Sequence, residues 1–199
     1  TLSEHFTVNS ALIIVSFFVT NKELGKFTLS YKVAFLLRLI PVFFLQSALQ
    51  KAIYLKSENK INYNKFIKKN YYWGLVLTIF TSIITIVLSD LIIQFFSGEK
   101  LIYSSSVLKI LSIIPFLAML NFKNYVYLIV NDLKNILNKS TLITLIFMCI
   151  YCVVLSSLYG GYGMTVGLVL TELSAFVIFS TLISINKKKS LNNSQIHFE

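Results

Sequence analysis

The chain has 199 residues, of which 56% are hydrophobic and only 13% are charged, and its mean hydropathy is +0.74. Because a soluble domain carries roughly 25% charged residues, this composition excludes an ordinary water-soluble protein. The net charge of +10 could suggest nucleic-acid binding, but phosphate-reading surfaces usually use several arginines. Arg38 is the only arginine here, so nucleic acid is not an expected partner.

Six long apolar runs follow one another along the chain. A transmembrane helix needs about 20 apolar residues, and most runs approach or reach that length. The first has 14 residues and reaches it only by extending back to Thr1 or beyond. Helices satisfy all their backbone hydrogen bonds internally, as lipid requires, and the runs lack the alternation of barrel strands. The sequence therefore predicts an all-α polytopic membrane protein with a six-helix transmembrane bundle. The runs cover approximately residues 6–19, 33–49, 72–96, 107–130, 142–158 and 164–185.

The distribution of basic residues between the runs predicts the orientation. Eleven of the 18 Lys and Arg residues follow the second, fourth and sixth runs, whereas Lys22, Lys26 and Lys100 lie in the intervening gaps. Short loops rich in these residues stay on the cytoplasmic side, so both chain ends are expected in the cytoplasm. The Lys, Asn and Ile bias is typical of an AT-rich bacterial genome, which indicates the bacterial cytoplasmic membrane.

The polar segments between the runs complete the predicted layout. Residues 21–25, 97–100 and 159–163 are expected to form tight external turns, the last with glycines at positive φ. The longest polar stretch, 50–70, could hold a short helix on the cytoplasmic surface.

The chain divides into two predicted parts. The transmembrane bundle covers residues 1–185, and a polar cytoplasmic tail, which is expected to fray, covers residues 186–199. Because the chain begins with Thr1 rather than Met, we expect a fragment of a longer protein.

Six charged residues lie within or beside the apolar runs. A charge at the bilayer centre costs about 2.5–3.5 kcal/mol on insertion scales, so such residues are candidates for contacts with a cavity or a partner. Lys32, Lys109 and Lys123 lie near span ends, where snorkelling to the interface is a full alternative. An interfacial position is also expected for Asp90. The six residues are Lys32, Arg38, Asp90, Lys109, Lys123 and Glu172.

Arg38 and Glu172 differ from the others because several apolar residues flank each of them on both sides. Neither side chain reaches water easily, so both are predicted to face a polar cavity. The competing interpretation is a structural ion pair between them, which their similar depth also allows.

Two prolines and two polar residues of the first run join this candidate set. Pro41 and Pro115 are expected to kink the second and fourth spans, and in transporters a broken helix exposes backbone to a central cavity. The alternative for each proline is a kink that serves only helix packing. His5 and Asn9 share one helix face and could line the same cavity.

No pattern in the sequence indicates an enzyme, a cofactor or a metal site. The chain has no Ser-His-Asp arrangement and no phosphate-binding glycine loop with lysine. Cys149 and Cys152 lie in the fifth run without further metal ligands nearby, so buried apolar thiols are expected.

Four further segments are informative when taken together. They are 24–33 (LGKFTLSYKV), 95–98 (FFSG) followed by Tyr103, 107–115 (VLKILSIIP), and 159–163 (YGGYG) running on to Thr171 and Glu172. Each motif is short and apolar, but their order and spacing extend over nearly the whole chain. These segments resemble Wzx-type flippases of O-antigen and capsular polysaccharide.

The resemblance implies a place in the multidrug/oligosaccharidyl-lipid/polysaccharide exporter superfamily, whose members have two six-helix lobes. This chain would be the C-terminal lobe, and the N-terminal lobe would be missing from it. The implied substrate is an undecaprenyl-pyrophosphate-linked oligosaccharide, moved across the membrane by alternating access. Arg38 would bind the pyrophosphate, Lys32, Lys109 and Lys123 would add positive charge, and Glu172 would tune Arg38 or couple to an ion.

Three other interpretations remain open. A multidrug or lipid II exporter of the same superfamily would have a similar fold. A non-transporting assembly subunit would have Arg38 and Glu172 paired and packed. A polysaccharide polymerase or ligase usually carries a large external loop, whereas every predicted external loop here is short.

Overall fold

The computed structural model describes residues 10–58 and 60–196. Within these ranges every regular element is a helix, which confirms the all-α prediction. The described part of α1 covers 10–16. The other helices are α2 (Asn21–Glu58), α3 (Lys60–Ser97), α4 (Ile102–Leu111), α5 (Ile114–Leu120), α6 (Phe122–Val130) and α7 (Lys134–Ile196).

Four helical stretches in the described residues are long and apolar enough to cross a membrane. They are Asn21–Glu58, Ile61–Ser97, Ile102–Val130, which combines α4, α5 and α6, and Lys134–Lys189. Helices of this length and composition indicate a membrane-embedded protein.

Helix α3 is more apolar on its outside than on its buried face. Its buried face carries the hydroxyl residues Thr78, Ser82, Thr85 and Ser89, spaced by three or four positions as one helix face requires. Its exposed side chains include Phe95, which is 84% accessible. Soluble proteins show the opposite arrangement, so lipid is the natural surrounding of this helix.

The buried hydroxyls of α3 are satisfied without water. Ser82 donates a hydrogen bond to the Ser112 carbonyl at the end of α4 (2.6 Å), and this bond ties α3 to the neighbouring helix. Thr78 and Thr85 donate to carbonyls one turn earlier in α3 itself. The buried hydroxyls of this helix are therefore paired, as lipid surroundings demand.

Helix α7 folds back on itself at Gly160, where φ is +56° and ψ is −135°. Positive φ is accessible to glycine because it has no Cβ. The two arms, 134–159 and 161–196, then pack against each other. A Cβ on Gly167 would lie only 3.2 Å from the Cα of Cys152, and Ser174 donates to the Tyr151 hydroxyl across the arms (3.2 Å). The predicted turn over 159–163 thus coincides with a reversal of the chain.

The predicted turn over residues 21–25 is wrong, because α2 already begins at Asn21. The non-helical connection lies at residues 17–20 instead. Thr20 accepts a hydrogen bond from the Glu23 amide on its hydroxyl (3.4 Å), which satisfies one of the free N–H groups at the start of a helix. This cap starts the helix before Gly25.

The polar segments are more helical than expected. Residues 50–58 finish α2 and residues 60–70 begin α3, so the two long helices take the place of the separate short surface helix that the sequence suggested. Helix α7 continues to Ile196, well beyond the predicted span end at residue 185. Neither segment contains Gly or Pro, so no strong helix breaker stops α2 before Glu58 or α7 before Ile196.

The stretch predicted as one fourth span is divided into three short helices. Helix α4 ends at Leu111, and Pro115 is near the start of α5. Proline lacks an N–H group and fits the first turn of a helix. Pro41, by contrast, lies inside α2, and the helix continues across it.

Candidate functional site

Arg38 and Glu172 lie on the buried faces of their helices. On α2 the buried residues Phe27, Tyr31, Ala34 and Pro41 follow one another by four, three and seven positions, which places them on one helix face. Arg38 follows Ala34 by four positions on that face. On the second arm of α7, Glu172 follows the same spacing. Its buried neighbours along that arm are Leu168, Ala175, Phe179 and Ile183.

The two side chains form an ion pair across the bundle. Arg38 Nη2 lies 2.5 Å from Glu172 Oε1, and the side chains are 32% and 11% accessible, respectively. A charge-assisted hydrogen bond of this length is strong. The carboxylate is thus nearly enclosed, whereas about a third of the arginine side chain stays accessible. Of the two interpretations from the sequence, the ion pair is the one that the 2.5 Å distance supports directly.

Lys109 and Asp90 form a second, looser pair between α4 and α3. Lys109 Nζ lies 3.5 Å from Asp90 Oδ2, and the side chains are 41% and 48% accessible. An exposed pair of this length contributes little to stability. Both residues were expected near the external ends of their spans.

The other two lysines of the candidate set are held elsewhere. Lys123 Nζ lies 3.8 Å from the ring centroid of Tyr71 and 5.7 Å from that of Tyr72, a cation–π arrangement. Lys32 is exposed, next to the buried Tyr31 and Val33. The four basic residues therefore do not share one set of contacts: Arg38 meets Glu172, Lys109 meets Asp90, and Lys123 meets tyrosines. His5 and Asn9 lie outside the described residues.

A second cluster, which the sequence interpretation missed, joins the start of α2, the start of α4 and the turn of α7. Tyr103, at the start of α4, donates its hydroxyl to Glu23 Oε1 (3.0 Å). The Gly161 amide donates to the same oxygen (3.4 Å). The Tyr103 ring packs edge-to-face on Tyr162 with centroids 4.9 Å apart. We call Glu23, Tyr103, Gly161 and Tyr162 the Glu23 cluster.

The Glu23 cluster leaves little space for change. A Cβ on Gly161 would overlap the Tyr103 hydroxyl, so a larger residue there would displace the Tyr103 side chain. An open cleft of about 390 Å³ lies beside the cluster and is also lined by Lys22 and Lys26. The cluster therefore fastens the start of α2, the start of α4 and the turn of α7 to one another.

One sequence signal could have found the Glu23 cluster. Thr20 and Glu23 have the Thr-x-x-Glu spacing of a capping box, which marks the first turn of a helix. A carboxylate in that turn also interacts favourably with the helix dipole. The tyrosine and glycine partners come from 80 and 138 positions further along the chain, and no local pattern indicates them.

The described residues contain no group of three or more His, Cys, Asp or Glu side chains placed to hold a metal ion. Cys152 is buried in the apolar core beside Met148 and Leu168, whereas Cys149 is partly accessible.

Comparison with protein-family models, with curated proteins and with solved structures gave no match. The resemblance to polysaccharide flippases therefore rests on the segments quoted from the sequence.

Proposed function

We propose that this chain is the C-terminal lobe of a Wzx-type flippase that moves undecaprenyl-pyrophosphate-linked oligosaccharide across the bacterial cytoplasmic membrane. The resembling segments indicate the family, and the apolar helices indicate the membrane location. The observation that carries the proposal is the Arg38–Glu172 ion pair, because it holds the single arginine of the chain within an apolar bundle.

The proposed topology has six crossings. Helix α1 belongs to the first, α2 and α3 are the second and third, α4 to α6 together are the fourth, and the two arms of α7 are the last two. Both chain ends lie in the cytoplasm under this proposal, as the Lys-rich connections predict.

Contacts at the two ends of the bundle support this topology. Lys56, near the end of α2, donates to the Val130 carbonyl (3.0 Å) and to Asn131 Oδ1 (2.8 Å) after α6. Lys187, on the second arm of α7, lies 4.4 Å from the Tyr127 ring centroid. The three Lys-rich regions are thus neighbours at one end, and the Glu23 cluster ties the Lys-poor connections together at the other.

The proposed mechanism uses Arg38 as the anion-binding group. Its planar guanidinium can bind two phosphate oxygens at once, and Glu172 keeps that charge compensated when no substrate is present. The pyrophosphate would replace the carboxylate as the partner of Arg38. Rocking of this lobe against the N-terminal lobe would then move the site from one leaflet to the other.

A second candidate is a non-transporting membrane assembly subunit. The closed Arg38–Glu172 pair favours it, since a carboxylate already occupies the arginine. A multidrug or lipid II exporter of the same superfamily would use the same fold on another substrate.

The test uses the full-length gene in a flippase-deficient strain, with surface polysaccharide as the readout and membrane protein level as a control. Arg38→Ala is expected to abolish export, and Arg38→Lys to retain part of it. Glu172→Gln is expected to retain export because Arg38 stays available. Normal export by Arg38→Ala at normal protein level would refute the anion-binding role. Loss of export by Arg38→Ala and Glu172→Gln alike, each with reduced protein level, would favour the structural subunit.

A further inference from the structure

A cleft between α2 and α3 combines two lysines with three aromatic rings. It is an open groove with a volume of about 470 Å³. It lies between the C-terminal half of α2 and the N-terminal half of α3, and neither Arg38 nor Glu172 lines it. We call it the α2–α3 cleft. Its lining residues are Phe44, Lys51, Phe66, Lys69, Asn70 and Trp73.

The lining residues share one face of each helix. Phe66, Lys69, Asn70 and Trp73 have the i, i+3, i+4, i+7 spacing of one helix face, and Phe44 and Lys51 are seven positions apart on α2. Lys51 Nζ lies 5.3 Å from the Phe66 ring centroid, a cation–π contact. The Asn70 amide group donates to the Phe66 carbonyl (2.9 Å), which holds it beside the lysines.

The cleft is positive. No carboxylate lines it. Lys51 and Lys69 are both exposed, and neither is joined to a carboxylate by any of the ion pairs among the described residues. Two ammonium groups on opposite walls suit an oxyanion with several acceptor oxygens.

The cleft also has a polar end and an apolar end. Helix α2 ends at Glu58 and α3 begins at Lys60. Lys51 and Lys69 therefore lie nearer those two helix ends than Phe44 and Trp73 do. Trp73 is 63% accessible, which is typical of tryptophan at a membrane interface. The order of a cationic end followed by an aromatic end matches the order of headgroup and acyl chain in a lipid.

We infer that the α2–α3 cleft binds the phosphate headgroup of an anionic phospholipid, with Lys51 and Lys69 on the phosphate and Phe44 and Trp73 along the acyl chain. A free soluble phosphate would use the lysines but gain nothing from the aromatic end. The inference is independent of the substrate that the protein transports.

Trp73, the single tryptophan of this chain, allows a direct test. The full-length protein is placed in phosphatidylcholine vesicles that contain about 20% brominated phosphatidylglycerol. A parallel set contains about 20% brominated phosphatidylcholine instead. In each set, roughly one lipid in five quenches tryptophan fluorescence on contact. The signal of a Trp73→Phe variant is subtracted, so that only quenching at this position is counted. We expect phosphatidylglycerol to be preferred over phosphatidylcholine by several-fold, since each lysine near a membrane surface favours anionic lipid about fivefold.

The variant Lys51→Gln/Lys69→Gln is expected to remove this preference. Lys65→Gln/Lys68→Gln is the matched control, because it removes the same charge from exposed positions of the same helix region that do not line the cleft; its preference should change less than about twofold. Lys51→Arg/Lys69→Arg should retain the preference and shows that substitution there is tolerated. Gel-filtration profiles in detergent check folding of each variant.

Three results would overturn the inference. Equal quenching by the two brominated lipids would exclude a preference for the anionic headgroup. Equal losses in the cleft variant and the control variant would assign the preference to general surface charge. Release of the lipid by millimolar inorganic phosphate, with Trp73 quenching lost, would assign the cleft to a soluble anion instead.

Discussion

Arg38 and Glu172 approach to 2.5 Å across the interface between α2 and the second arm of α7. The arginine is the only one in the chain, and its partner is one of the few acidic residues that lie deep in an apolar run. Each charge thus compensates the other in surroundings where an isolated charge is costly. The same pairing leaves a third of the arginine side chain accessible, which a substrate anion would need.

The first prediction separates stability from transport at this pair. Arg38→Met and Glu172→Gln, made singly, should each lower stability by about 1–3 kcal/mol, because each leaves a partly buried charge without its partner. The double variant Arg38→Met/Glu172→Leu should recover most of that loss, since replacing both charges by apolar groups is often neutral. Thermal unfolding in detergent measures the cycle. If the double variant also exports polysaccharide normally, Arg38 has no role in transport.

The second prediction concerns the chain reversal of α7. Gly160→Ala and Gly161→Ala should each destabilise the protein by about 1–3 kcal/mol, the first through its positive φ and the second through overlap with the Tyr103 hydroxyl. Gly25→Ala is the matched control: it lies inside α2 with nothing within 4 Å of the added Cβ, so it should stabilise by about 0.5–1 kcal/mol. If thermal unfolding showed the same change in stability for Gly161→Ala as for Gly25→Ala, the geometry of the Glu23 cluster would be contradicted.

The third prediction tests the hydrogen bond at the centre of the Glu23 cluster. Tyr103→Phe keeps the ring that packs on Tyr162 but removes the donor to Glu23, so stability should fall by about 1 kcal/mol. Tyr159→Phe is the control, because the Tyr159 side chain is exposed and its loss should be nearly neutral. Equal midpoints for the two variants would show that the Tyr103–Glu23 bond does not contribute.

The fourth prediction tests the proposed topology by labelling single cysteines in intact cells, with the native cysteines replaced. A membrane-impermeant maleimide should label Lys22→Cys, in the first turn of α2, and Glu99→Cys, in the connection between α3 and α4, because both lie in or beside Lys-poor connections. It should reach Lys65→Cys and Asn138→Cys only after the cells are opened, because they lie in or beside Lys-rich connections. Labelling of Lys65→Cys in intact cells would reverse the proposed orientation.

The positions of the apolar segments follow from the sequence because each one is a local property of about 20 neighbouring residues. Hydropathy located α2, α3 and the stretch from α4 to α6, and the glycines at 159–163 marked the reversal of α7. Helix ends were less predictable. The capping hydrogen bond of Thr20 starts α2 before Gly25, and a polar stretch such as 50–58 extends a helix when no breaker stops it.

Within the candidate site, the sequence identified the unusual residues and offered the Arg38–Glu172 pair as the competing interpretation, but it did not decide their contacts. Arg38 and Glu172 were conspicuous because each interrupts an apolar run, and the sequence favoured a polar cavity, although their depth also allowed an ion pair. The choice depends on which helix faces meet, and that is decided by packing among helices distant in sequence. The same holds for Lys123, whose contacts with Tyr71 and Tyr72 replace a shared cationic site with Arg38.

The sequence by itself determined the helical class, the apolar segments and the alternation of basic residues, because lipid imposes length, backbone pairing and charge rules on each segment separately. Only the tertiary structure decided that Arg38 meets Glu172, that Glu23 accepts hydrogen bonds from Tyr103 and Gly161, and that α2 and α3 line an open cleft with two lysines and three aromatic rings. Those contacts join residues far apart along the chain, and their formation depends on the rotation of each helix about its own axis, which short-range patterns do not define.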